Sequence, residues 1–266
     1  MKDILPFRRI AKAMLLCCVC TMLYSSCKRE TQDENTDHSS FPEDSILVTY
    51  NQQNTYLHGR MVEEKLIVEG DIEFEKAKDL RAVADTLNIW PVVDNFIIIP
   101  YNIGSYNQPE KLKKAMEMWE KVINVKFIPK TASDKDYVTI NSSIRSTSSN
   151  VGRRKYEQFI KIQGKMGAGN IAHELGHTLG LYHEQTRRDR DKYVKVKCGD
   201  YSYKYAHLKN ENAADLGPYN YNSIMHYNLG TCMQLKSGHP DGLNVGQRDS
   251  VTLGDISAIK SIYKLK

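Results

Sequence analysis

Residues 173–183 read His-Glu-Leu-Gly-His-Thr-Leu-Gly-Leu-Tyr-His, and this stretch decides the expected fold and its chemistry. His173 and His177 are four residues apart, so on a helix they lie one above the other on a single face. Two imidazoles at that spacing can hold one metal ion. Glu174 follows the first histidine and is placed to reach a water on that metal.

The sequence also marks the end of this helix. Gly180 follows the last helical turn, where a left-handed residue ends a helix sharply. The chain can then turn and bring His183 to the same ion. Three neutral nitrogen ligands leave one position open for water, which is the pattern of a catalytic zinc site. A structural cage would need a fourth ligand, and Cys198 lies too far along the chain to be a local one.

The composition is that of a globular protein, except at the N-terminus, where basic residues precede a short apolar run. The chain has 266 residues, 41% apolar and 26% charged, which is ordinary for a soluble domain. The net charge is +5, but Lys and Arg are scattered, so we expect no nucleic-acid partner. Basic residues near the N-terminus precede an apolar run over 13–24, too short to span a bilayer. Residues 1–27 therefore read as an export signal.

The end of that signal leaves two alternatives open. Tyr24-Ser25-Ser26-Cys27 resembles the lipobox of bacterial lipoproteins. Either Cys27 becomes a lipidated first residue, the only membrane contact we expect, or an ordinary signal peptidase releases the protein. We therefore expect an exported protein, held at the cell surface or in the periplasm, or secreted. Residues 28–45 carry an excess of acidic residues and read as a linker.

Two cysteines remain beyond the signal, Cys198 and Cys232. In an oxidising compartment an even pair fits one disulfide. Two free buried thiols fit equally well, and the sequence leaves both readings open.

Periodicity predicts an α+β layout. Strands are expected over 97–101, 125–128, 137–140 and 159–162, with Pro100 favouring an edge or a strand end. Pro109 opens a helix. Its predicted buried stripe is Leu112, Ala115, Met116, Trp119, Val122 and Ile123.

Farther along, residues 223–227 read Ser-Ile-Met-His-Tyr. Together with residues 173–184 this stretch resembles the astacin family of metzincin zinc peptidases. The resemblance implies one catalytic zinc held by His173, His177 and His183, with Glu174 as the base. It also implies a turn at Met225 beneath the site, and Tyr227 as a switchable ligand that assists catalysis.

The resemblance covers about residues 68–266 and implies a fold. That fold is a twisted mixed sheet with two long helices over an irregular C-terminal subdomain, with zinc in the cleft between. The cysteines of the family's two usual disulfides are absent, and Asn220 stands where Asp is usual.

Residues 67–72, Ile-Val-Glu-Gly-Asp-Ile, resemble the family's prosegment motif. That likeness implies that Asp71 ligates the zinc and displaces its water. Leu80-Arg81-Ala82 offers a cleavage site, so we expect a linker and inhibitory pro-region over 28–81 and a catalytic domain over 82–266. In the family the new N-terminus is buried near the Glu after the third His, here Glu184.

The expected function is therefore a latent zinc endopeptidase that cuts proteins or peptides, acting as a monomer. The alternative is a surface lipoprotein that binds a protein partner through the same scaffold without turnover. Loss of Glu174 would have favoured that alternative, because a binder has no need of a base beside the metal.

Overall fold

The structure is a computed structural model that describes residues 44–50, 53–62, 65–68, 70–74, 88–198 and 214–266. The chain divides into two compact units, Met1–Ser40 and Phe41–Lys266, and every described residue lies in the second. The export signal, Cys27 and the Arg81–Ala82 cleavage site lie outside the described residues. Among the described helices, none combines the length and the apolar character that crossing a bilayer requires.

The described residues contain one large mixed sheet and one two-stranded sheet. The strands are β1 (Asp44–Tyr50), β2 (Gln53–Val62), β3 (Lys65–Val68), β4 (Ile72–Phe74), β5 (Val92–Val93), β6 (Phe96–Ile103), β7 (Val125–Pro129), β8 (Tyr137–Ser143), β9 (Ser148–Ser149), β10 (Glu157–Gln163), β11 (Val194–Val196) and β12 (Met233–Leu235). The large sheet has the order β1-β2-β3-β4-β9-β10-β8-β6-β5, with β7 paired to β6, while β11 pairs with β12. The mixed sheet and α+β class are as the sequence predicted.

The strands β1 to β4 form antiparallel pairs in succession. They join the rest of the sheet where β4 runs parallel to β9, with Ile72 opposite Ser149. These four strands were not predicted from the sequence. The acidic linker expected over 28–45 also overlaps the first residues of β1.

The strand β6 passes straight through Pro100, so the expectation of an edge or an end there is wrong. The amides of Ile98 and Gly104 point to the side that β5 and β8 share, where they bond Pro91 and Ile140. Pro100 is an even number of residues from both, so its nitrogen faces the same side. No described strand pairs with Pro100 on that side, because the pairing with β5 ends at Ile97 and the pairing with β8 begins at Tyr101. Its missing N–H therefore leaves no ladder bond unmade.

Three α-helices lie in the described residues: α1 (Pro109–Glu120), α2 (Ala168–Thr178) and α3 (Leu253–Tyr263). The helix α1 buries Leu112, Ala115, Met116 and Trp119. Val122 lies beyond its end and is 38% exposed, so its place in the predicted stripe is wrong. The helix α3 was not predicted either, because the C-terminal part of the chain was expected to be irregular.

The core fixes the position of α2 beneath the sheet. The indole N–H of Trp119 in α1 donates to the carbonyl of Ala172 at 2.8 Å. The indole N–H of Trp90 donates to the carbonyl of Thr178 at 2.9 Å. Both tryptophans are buried, so α2 is held at its middle and at its end.

Candidate metal centre

The helix α2 presents two of the predicted ligands. His173 and His177 are buried, and their ring centroids are 4.8 Å apart. The Nδ1 atom of His173 lies 2.8 Å from the Ile224 carbonyl, and that of His177 lies 2.8 Å from the Leu181 carbonyl. Because a carbonyl only accepts, each Nδ1 carries the proton and each Nε2 keeps its lone pair for a metal. Burial, with the positive charge of Arg248, lowers the pKa of His173 to about 3, which keeps that ring neutral.

A turn after α2 brings His183 to the same point. Gly180 has φ of 104°, the left-handed conformation expected from its position. Its N–H donates to the His177 carbonyl, and the N–H of Leu181 donates to that of Gly176, which closes the helix end. The Nε2 atom of His183 then lies 3.1 Å from that of His173.

Asp71 is the fourth member of the cluster. Its Oδ1 lies 3.1 Å from Nε2 of His183 and 3.6 Å from Nε2 of His177, while Oδ2 lies 3.4 Å from Nε2 of His173. Gly70 precedes it with φ of 99°, a conformation that favours glycine in this turn. The four donor atoms all lie within 4.8 Å of one another.

This donor set fits one zinc ion. Imidazole nitrogens and a carboxylate oxygen are the ligands that zinc prefers in proteins. The buried Asp71 Oδ1 and His177 Nε2 atoms make no hydrogen bond to any residue that the structure describes. A cation bound by the four donors would satisfy both atoms, which otherwise carry a desolvation cost.

Glu174 lies next to the first histidine and is buried. Its Oε2 atom has no hydrogen-bond partner within the described ranges. Burial, and then the negative charge of Asp71, raises the pKa of this carboxyl well above its usual range, while the Arg248 guanidinium acts in the opposite direction.

Tyr227 and Met225 lie on the C-terminal side of the cluster. The Tyr227 ring packs 4.4 Å from the His183 ring, between centroids, and its hydroxyl donates to Asp71 Oδ2 at 3.3 Å. Met225 is buried against α2, where a Cβ added at Gly176 would lie 2.5 Å from its sulfur atom. A side chain at position 176 would therefore require Met225 to shift.

Glu184 is buried at the side of the centre rather than within it. Its Oε1 atom accepts a hydrogen bond from the backbone amide of Asn220 at 2.7 Å and lies 3.4 Å from Arg187 Nη1. Burial raises the pKa of Glu184 to about 7. Asn220, at the position where the family usually has Asp, donates through its side chain to Thr252 Oγ1.

Cys198 and Cys232 are joined by a disulfide, with Cα atoms 5.0 Å apart. The bond lies beside the small β11–β12 sheet, where the Lys197 amide donates to the Cys232 carbonyl. Neither sulfur belongs to the cluster of metal donors.

Two residues of the site were missed by the sequence analysis. Asp255 is buried and accepts from the Ser223 hydroxyl at 2.5 Å and the Ile224 amide at 3.2 Å, which ties the Met225 turn to α3. Its signal was the Thr252-x-x-Asp255 capping box, which the structure contains. Arg248 donates to the carbonyl of His226 at 3.1 Å, and no spacing pattern indicated that contact.

Within the described residues, a mixed sheet lies over one helix that carries two of three converging histidines, and these histidines form one site that fits a zinc ion. The chain belongs to the astacin family of peptidases, since the family model described as Astacin matches residues 83–264. This confirms the resemblance that the sequence motifs carry. One zinc ion is the cofactor of the family, and the donor set fits it.

Several proteins are similar to this chain. Embryonic protein UVS.2 of Xenopus laevis is 32% identical over 209 residues, which cover 74% of this chain and 40% of that protein. Zinc metalloproteinase nas-39 of Caenorhabditis elegans is 33% identical over 220 residues, which cover 73% of this chain and 23% of that protein. The chain therefore spans less than half the length of these two relatives.

A solved structure shares the fold. High choriolytic enzyme 1, a hatching enzyme zinc-protease from Oryzias latipes, superposes with a TM-score of 0.60 at 28% identity. The match covers 68% of this chain and 97% of that one.

Proposed function

We propose that this chain is a zinc endopeptidase precursor that Asp71 keeps latent. The observation that carries the proposal is the convergence of the Asp71 carboxylate with His173, His177 and His183 inside 4.8 Å. Proteins and peptides are the substrate class, as they are for the zinc proteases that the chain resembles.

Glu174 is the proposed general base. Zinc, when bound by the three histidines, lowers the pKa of a water and polarises the scissile carbonyl. Glu174 takes the proton of the attacking water and passes it to the leaving amine. The burial of its side chain supports this role, as does the Oε2 atom, which has no competing hydrogen bond within the described residues.

Tyr227 is the proposed oxyanion donor. In the latent form its hydroxyl bonds the carboxylate of Asp71. Once Asp71 has left, the same O–H can donate to the oxyanion of the tetrahedral intermediate, where negative charge develops. The backbone amide of Tyr227 donates to Gln185 Oε1 at 3.0 Å, a bond that holds the residue beside the site.

We propose that the precursor matures by cleavage of the pro-region. Cleavage between Arg81 and Ala82 would release the pro-region and create an ammonium group for Glu184, whose burial makes a charged partner favourable. The basic and apolar start of the chain supports export, with a lipid on Cys27 or with free release. Sequencing of the mature N-terminus would test the cleavage site.

The proposed activity is tested by metal removal and return. A chelator should abolish cleavage of a denatured protein by the processed chain, and added zinc should restore it. His177→Ala should be inactive while its circular dichroism spectrum stays that of the native chain. Full activity of that variant, or activity that survives the chelator, would refute the proposal.

A further inference from the structure

The N-terminal strands carry another carboxylate, which has several charged and polar partners. Glu73, two residues after Asp71, is fully buried. Its Oε1 lies 2.5 Å from Lys65 Nζ, and its Oε2 lies 3.3 Å from Lys161 Nζ and 3.4 Å from Ser148 Oγ. A buried carboxylate needs such partners, and here two cations and a hydroxyl supply them.

These partners come from two different parts of the chain. Lys65 belongs to β3 and would leave with the pro-region together with Glu73. Lys161 in β10 and Ser148 in β9 are register partners, so their side chains share one face of the sheet. Both stay behind in the catalytic domain. Processing therefore removes the carboxylate and leaves a cation and a hydroxyl at the place where it lay.

The same edge offers backbone and side-chain bonds to an extended chain. The Ser149 amide donates to the Asp71 carbonyl at 2.9 Å, and the Asn150 side-chain amide donates to the Glu73 carbonyl at 2.7 Å. A peptide that adds to an exposed strand uses bonds of this kind for affinity and the alternate side chains for specificity. Because Glu73 follows Asp71 by two residues, its side chain lies about two strand residues from the metal ligand, at roughly 3.3 Å per residue.

We propose that Lys161 and Ser148 form a subsite of the processed enzyme that selects an acidic side chain of the substrate, about two residues from the scissile bond. The Glu73 carboxylate occupies this subsite in the precursor. The inference rests on the proposed function, and it specifies the charge of one substrate side chain that the enzyme prefers.

The test compares peptides that differ only by Glu, Gln or Lys at the positions around one scissile bond. The full chain is folded first and then processed with limited trypsin, so no fragment has to fold alone. At one position, wild type should cleave the Glu peptide about tenfold better than the Gln peptide by kcat/KM, the scale of one charge-assisted hydrogen bond. Lys161→Met should abolish that preference, and Lys161→Glu should shift it towards the Lys peptide.

Lys126→Met is the matched control. Lys126 lies on β7 with Nζ 4.2 Å from the Phe96 ring centroid, away from the Glu73 site, so its loss should leave the preference intact. Binding of the same peptides to processed Glu174→Gln gives the comparison without turnover. Equal cleavage of Glu and Gln peptides by wild type, or a preference that survives in Lys161→Met, would overturn the subsite and leave the peptidase proposal standing. No cleavage of any peptide by zinc-loaded wild type would refute the peptidase proposal as well.

Discussion

The carboxylate of Asp71 and the imidazole of His183 lie 3.1 Å apart, from Oδ1 to Nε2. These residues are far apart in the sequence and are brought together where β4 pairs with β9. The contact places an anionic ligand from the N-terminal strands at the point where three histidines converge. Latency is therefore proposed to depend on one strand pairing, which proteolysis of the pro-region would release.

The Tyr227→Phe variant removes the hydroxyl and keeps the ring, so it measures the contribution of the hydroxyl to catalysis. The ring packs on His183, so the variant should keep its fold and its zinc, because three histidines remain. In the processed enzyme kcat should fall by about 10²-fold, the cost of one oxyanion donor, with little change in KM. Steady-state kinetics with metal content measured in parallel is the check.

Tyr221→Phe is the matched control for that variant. It also removes a phenolic hydroxyl, here from a tyrosine that packs edge-to-face on Tyr219, with 5.1 Å between the ring centroids. Its kcat should stay near that of wild type. An unchanged kcat in zinc-loaded Tyr227→Phe would leave Tyr227 as a packing residue only.

The Glu184→Gln substitution should lower the stability of the processed enzyme much more than that of the precursor. In the precursor the amide oxygen can still accept from Asn220, and Arg187 keeps its bonds to Asp189. In the processed enzyme the substitution would leave the Ala82 ammonium buried without its proposed partner, a loss of about 3 kcal/mol. Thermal unfolding of both forms should show a large decrease only after processing. Equal decreases in the two forms would remove Glu184 as the partner of the new N-terminus.

Gly169→Ala tests how closely α2 packs on the C-terminal segment. Helix propensity alone predicts that alanine stabilises this position by about 1 kcal/mol. A Cβ there would overlap the carbonyl oxygen of Arg248, which is backbone and cannot rotate away. We expect a net destabilisation of about 1–3 kcal/mol, as for an overpacked core.

Gly230→Ala is the control for this prediction, since a Cβ at Gly230 meets nothing within 4 Å. Chemical denaturation of the three proteins gives the two differences in unfolding free energy. A stabilised Gly169→Ala variant would mean that α2 and the Arg248 segment are less closely packed than described.

Local patterns predicted the convergence of the three histidines and the turn at Gly180, and the structure contains both. The His173–His177 spacing and the Gly180 turn are properties of one helix and its end, so they can be read from a few consecutive residues. The α1 stripe was read correctly from Leu112 to Trp119, and it failed at Val122 because the helix ends at Glu120. Periodicity alone does not fix such an end.

Long-range pairing could not be predicted in the same way. The likeness of residues 67–72 to a prosegment motif implied Asp71 as a zinc ligand. The parallel pairing of Ile72 with Ser149 that places Asp71 there leaves no periodic trace in either segment, so it was not predicted. The buried Glu73 cluster depends on the same register and was missed for that reason. The helix α3 did leave a local signal, the capping box from Thr252 to Asp255, and a search for caps would have found it.

The hydrolysis rates of purified, zinc-loaded, full-length wild type and Asp71→Ala test whether Asp71 keeps the precursor latent. Intact mass must show that neither sample has been processed, and metal content must show equal zinc. We expect near-background activity for wild type and clear activity for Asp71→Ala. Unprocessed wild type that is already as active as the processed enzyme would contradict it.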